Sequence, residues 1–122
     1  MARVQAFLVF TVSALLAGGA VAGTDEAPEW ADVFQIFNTR CVNCHAAHGA
    51  AKGLRLDSYQ AAIAGGLAGP VLLPGDPAGS EMVRRILGES VPRMPFLSTP
   101  LPQEEIDVIL RWVESGLPET RP

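Results

Sequence analysis

The sequence predicts a small all-α protein of about four short helices joined by long loops. Three observations carry this. Apolar residues recur three and four apart in separate windows. Glycine and proline clusters divide those windows. No run alternates long enough to make a convincing strand, and no internal repeat is present.

The first helix is expected from about residue 28 to the Cys41–Cys44 region. Pro28 suits a first helical turn, and Glu29 and Asp32 favour its positive end. Trp30, Val33, Phe34, Phe37 and Cys41 form its apolar stripe, read as core packing. Residues 46–53 are small and glycine-rich, hence a loop. In Leu54-Arg55-Leu56 the alternation puts both leucines on one side. Asp57 or Ser58 can cap a short helix over residues 59–64, stopped by Gly65-Gly66. Residues 69–75 are a second loop, stiffened by Pro70 and Pro74.

Asp76-Pro77 reads as N-cap and first residue of a third helix reaching about Leu87, with Gly88 ending it. Met82, Val83, Ile86 and Leu87 give that helix a buried stripe, and Arg84 and Arg85 lie near its negative end. Residues 90–102 carry Pro92, Pro95, Pro100 and Pro102. They are expected to be extended and partly polyproline-like. The last helix begins near Gln103, with Ile106, Ile109, Leu110 and Val113 on its stripe and Trp112 at the border. Gly116 ends it. The first and last helices are the best pair to pack together.

The first 22 residues read as an export leader. Arg3 supplies a short positive region, residues 6–17 an apolar core, and Ala20-Val21-Ala22 a small-x-small cleavage pattern. The mature domain is then residues 23–122, with an uncleaved N-terminal anchor as the alternative. After cleavage nothing else calls for a membrane. Loss of Arg3 with the leader takes the formal charge from −4 to −5. An acidic surface argues against nucleic acid and suits a partner with a basic patch.

Cys41-Val42-Asn43-Cys44-His45 holds both cysteines of the chain. C-x-x-C-H is the attachment signature of a c-type haem. On a helical turn, residues three and four apart share a face, so Cys41, Cys44 and His45 can converge on one planar group. The thiols can join the vinyl groups as thioethers, and the imidazole can reach the iron. A zinc site would call for four ligands at wider spacing, and His48 is the one other histidine. A dithiol redox motif would call for a βαβ context, which the pattern lacks. One covalent haem c, at the centre of the small helical fold, is the expected cofactor.

The opposite iron face can be served by Met94, Met82 or His48, or be left open. Met94 is preferred. It lies in Val91-Pro92-Arg93-Met94-Pro95, where Pro95 biases it away from helical backbone and the prolines lower the entropy lost on ordering. Met82 belongs to the stripe of the third helix, and His48 is too near His45 to cross to the other face.

Taken in order, the motifs resemble the class I monohaem cytochromes c, and most nearly the planctomycete-type cytochrome c domains. The resemblance rests on Cys41 to His45, Lys52-Gly53-Leu54-Arg55-Leu56-Asp57-Ser58, Gly69-Pro70, Pro74-Gly75-Asp76-Pro77, Met94-Pro95 and the acidic last helix with Arg111-Trp112. It implies that Cys41 and Cys44 attach haem, that His45 and Met94 are the metal ligands, and that Leu54 and Leu56 line the pocket. The sequence departs from the family pattern at Ala46, at Phe96-Leu97 after Met94-Pro95, and at Pro102, which takes the place of a side-chain cap. Arg55, Tyr59, Arg93 and Trp112 are candidate partners for the propionates, although each also reads as an ordinary surface or packing residue.

The expected function is a periplasmic carrier passing single electrons between redox proteins. The sequence contains no nucleophile–base motif, no phosphate loop and no second metal cluster, so an enzyme is not expected. Two rivals stand: a haem sensor or peroxidase-like domain with an open sixth site, and a dedicated haem subunit of a larger oxidoreductase.

Overall fold

Helix α1 (Trp30–Arg40) starts two residues after Pro28 and delivers the chain directly into the cysteine motif. The computed structural model describes residues 26–122. The expected leader and the mature start near Gly23 lie outside them. Three further helices follow: α2 (Tyr59–Ala64), α3 (Glu81–Leu87) and α4 (Gln103–Glu114). Among the described residues there is no strand, only an isolated bridge between Gly66 and Gly69. The fold is all-α.

Helices α1 and α4 pack together, as their stripes predict. Val33, Ile36 and Phe37 of α1 meet Ile109, Trp112 and Val113 of α4 in one core cluster. Trp112 lies at its centre rather than at the border, with 0 % exposure. Its ring meets Phe37 edge-on at 6.2 Å and Trp30 at 5.9 Å. Its indole N–H donates to the Pro118 carbonyl at 3.0 Å, so burial leaves no polar atom unpaired.

Helix α2 keeps its expected bounds. Ser58 is the cap, its Oγ accepting from the Ala61 N–H at 3.3 Å. Asp57 is occupied by Arg55 instead. Helix α3 departs from expectation, for it starts at Glu81 rather than at Asp76-Pro77. Asp76 caps a turn: its carboxylate accepts the Gly79 N–H at 2.8 Å. Buried Ser80 then donates its hydroxyl to the Asp76 carbonyl and accepts the Leu73 N–H, which halts the chain for one residue before the helix. The stretch 90–100 also departs from a polyproline course. It is a series of bends and turns. Its first amides return to α3, whose last carbonyls lack partners of their own.

The C-terminal tail closes over the start of α1. The Arg121 guanidinium reaches Asp32 Oδ2 at 2.6 Å, and the Trp30 N–H donates to the Pro118 carbonyl at 3.1 Å. The Glu29 peptide N–H and the Arg121 guanidinium hold the Asp32 carboxyl below its ordinary value of 3.8. A carboxyl with a depressed folded value stabilises the fold above the unfolded value and loses that contribution as pH falls through the folded one. Asp32→Asn is therefore expected to lower the denaturant midpoint near neutral pH. The gap to the unmodified protein should close below pH 3.8, as followed by circular dichroism.

Candidate functional site

The motif turn begins where α1 ends. The Cys41 and Val42 N–H groups still donate to the Phe37 carbonyl, at 2.8 and 3.0 Å. The His45 N–H donates to the Cys41 carbonyl at 3.0 Å, which winds the five residues into one more turn. The spacing argument from sequence is thereby met locally. Cys41 is half-buried and Cys44 exposed, and both are free thiols. Burial pushes the Cys41 thiol up to about 11, with the Glu105 carboxylate adding to the rise and Arg40 opposing it.

His45 is oriented by the segment that follows. Its Nδ1 lies 3.2 Å from the Leu54 carbonyl oxygen. A carbonyl can only accept, so Nδ1 carries the proton. In the neutral ring Nε2 then keeps its lone pair free, the arrangement of a histidine that ligates a metal. The same segment is tied back twice more. The Leu56 N–H donates to the His45 carbonyl at 2.7 Å, and the Ala51 N–H to the Cys44 carbonyl at 2.9 Å.

A glycine turn buttresses that segment from outside. The Leu67 N–H donates to the Lys52 carbonyl at 2.9 Å. The approach is close: a Cβ on Gly66 would sit 2.7 Å from the Lys52 oxygen, nearer than such atoms pack. Gly66 thus lets the turn rest on the chain that carries the Leu54 carbonyl.

Leu56 is buried at 1 % exposure, and Leu54 is half-buried against the core. Met94 is half-buried in the loop between α3 and α4. Met82, the alternative thioether, is committed to the core on the inner face of α3. His48 is exposed on the loop after the motif. Of the residues weighed for propionates, Tyr59 donates to the Leu117 carbonyl, Trp112 to Pro118, and Arg55 pairs with Asp57. Arg93 is exposed, its side chain passing over Gly88.

Sequence reasoning missed Arg40. It precedes Cys41 and donates to the Thr99 carbonyl at 2.7 Å, linking the motif to the far end of the Met94 loop. It also faces Glu105 on α4 at 3.7 Å. Its position, one residue before the motif, was the available signal. Nothing in helical periodicity points to a partner 59 residues away.

The donor set fits a covalently held haem. Two thiols lie three residues apart on one turn, beside an imidazole whose second nitrogen is already spoken for. Among the described residues no group of three or more His, Cys, Asp and Glu side chains gathers as a metal cluster would. The family model of the planctomycete cytochrome C matches residues 41–95. The chain carries a planctomycete-type cytochrome c domain. That match runs from the first motif cysteine to the proline after Met94. Cytochrome c domains bind haem and carry electrons, and they are typically exported. No curated protein and no solved structure matches the chain. No helix among the described residues is long and apolar enough to cross a membrane.

Proposed function

We propose that the protein is a periplasmic monohaem cytochrome c, an electron carrier rather than an enzyme, with His45 and Met94 as the residues that would ligate its iron. The observation that carries the reading is the His45 Nδ1 to Leu54 carbonyl contact inside the C-x-x-C-H turn. It fixes the ring by its second nitrogen and leaves Nε2 for iron. Bound haem supplies a one-electron ferrous–ferric couple.

The chain's own residues do the rest. Cys41 and Cys44 would hold the haem covalently through their thiols. Leu54 and Leu56 supply apolar wall. Met94 would supply a thioether ligand to the iron, and a His/Met pair would raise the potential by favouring the reduced state. The acidic net charge suits redox protein partners with a basic docking patch, recognised in a salt-sensitive way.

Potentiometric titration and carbon monoxide test this together. A reversible one-electron couple in a ferrous protein that resists carbon monoxide supports the carrier. Ready binding of carbon monoxide by the ferrous protein would instead support a sensor or peroxidase-like site. Copurification with one stoichiometric partner would place it as a dedicated subunit.

A further inference from the structure

Met94 hangs from the last turn of α3. Its peptide N–H donates to the Arg85 carbonyl at 3.0 Å. Among the described residues no other peptide N–H between Val91 and Leu97 donates within the protein. Just upstream, the Glu89 and Ser90 N–H groups donate to the Arg84 carbonyl, at 2.8 and 3.2 Å. The backbone path to Met94 is therefore anchored on two successive residues of one helix.

Side chains reinforce the anchor. Arg85 Nε donates to Glu81 Oε1 at 2.8 Å, and Arg85 Nη1 faces the Pro92 carbonyl at 3.4 Å. Glu81 Oε2 accepts from the Ser90 hydroxyl at 3.1 Å. Arg85 thus grips the chain at the Pro92 carbonyl with its side chain and at the Met94 N–H with its own carbonyl. Those two points bracket Arg93. The planar guanidinium suits the task, because one edge is held by the carboxylate while another is presented to the loop. Both side chains are partly exposed, 31 % for Arg85 and 38 % for Glu81, so water moderates the pair without abolishing it.

We propose that Arg85 is a positioning residue that presents the Met94 thioether as the distal ligand, with Glu81 and Ser90 acting through it. The proposal rests on the His45/Met94 reading. A neutral thioether competes for its place by local concentration at the ligand position, and that concentration depends on how few conformations the loop visits. Each grip on residues 92–94 removes conformations in which the sulfur points elsewhere.

The test uses the full-length holoprotein. Arg85→Gln, Arg85→Lys, Glu81→Gln and Ser90→Ala are compared with Arg84→Gln, a neighbour whose contact to Glu81 is 3.5 Å and exposed. Three quantities are read: the ferric methionine–iron band, carbon monoxide binding by the ferrous form, and hydrogen exchange of the Met94 amide. Arg85→Gln and Glu81→Gln are expected to lower the ratio of ligated to unligated Met94 roughly three- to tenfold. Met94 amide exchange should quicken in step. The Arg85→Gln/Glu81→Gln double variant should do no more than Arg85→Gln alone. Arg85→Lys keeps the charge but not the two-edged grip, so it should restore only part of the ratio. Arg84→Gln should leave all three readings unchanged.

An intact band in Arg85→Gln would overturn the proposal, and so would full restoration by Arg85→Lys or an equal loss in Arg84→Gln. Those last two results would assign the effect to net charge. If Arg85→Gln fails to fold, Ser90→Ala carries the test, with a loss of about twofold in the same direction expected and no loss refuting the clamp. A wild-type protein that lacks the band and binds carbon monoxide would instead refute the His45/Met94 reading itself, and the proposal with it.

Discussion

Replacing Met94 with alanine is expected to abolish the ferric methionine–iron band and to open the ferrous protein to carbon monoxide. It should also lower the midpoint potential by on the order of 100 mV. The reasoning is chemical. A thioether favours the electron-rich ferrous state, and alanine offers no donor in its place. Met82 cannot substitute, because it is 8 % exposed and packed on the inner face of α3. His48 stands on the proximal loop. The fold should survive the change, since Met94 is only half-buried and its backbone bond to Arg85 does not involve the side chain. Covalent haem content should be unchanged. A variant with the wild-type spectrum would remove Met94 from the site.

Trp112→Ala is expected to cost about 3–5 kcal/mol, a large share of the stability of a domain of this size. The ring is fully buried between α1 and α4, against Phe37 and Trp30, and its N–H holds the Pro118 carbonyl. Alanine leaves a cavity at the one place where the two longest helices meet. Trp112→Phe keeps most of the packing and loses one hydrogen bond, so a loss nearer 1 kcal/mol is expected. Denaturant unfolding of the ferric holoprotein measures both. Haem attached as proposed through Cys41 and Cys44 would stay on the chain throughout, so cofactor loss would not confound the midpoint. Equal midpoints for Trp112→Ala and the wild type would show that the α1–α4 contact does not hold the fold.

Local features of this molecule were legible in its sequence where the physics itself is local. The C-x-x-C-H turn needs only five consecutive residues. The cap at Ser58 and the bounds of α2 depend on neighbours three residues apart, and the stripe of α4 on its own periodicity. What escaped was contact between distant parts of the chain. Asp76-Pro77 has the look of a helix start, yet Asp76 spends its carboxylate on Gly79, and buried Ser80 holds the chain until Glu81. Trp112 reads as a border residue within its own helix, whose pattern cannot reveal that Pro118 accepts its N–H. Arg121 reaches α1 from the far end of the chain, and Arg40 reaches Thr99 across 59 residues. The Met94 loop was expected to be extended because prolines forbid a helix. Its bends come from the unpaired carbonyls of α3, which no local pattern announces.

At the site the same division holds. The thiols and the imidazole proposed to hold haem are near neighbours in one motif, so they are named by five consecutive residues. The acceptor for His45 Nδ1 came from the chain nine residues onward, and its support from a glycine turn beyond that. The motif carries the residues proposed to hold haem, while residues 51–69 and α3 hold the chain around His45 and Met94.

The central claim is that Cys41 and Cys44 hold one haem covalently. The most direct measurement is the intact mass of the protein from cells competent in cytochrome maturation, after acidic solvent extraction, beside Cys41→Ser/Cys44→Ser. The account predicts a mass higher by one haem in the wild type and the bare chain mass in the double variant. A wild-type protein that leaves extraction at its bare chain mass would contradict it.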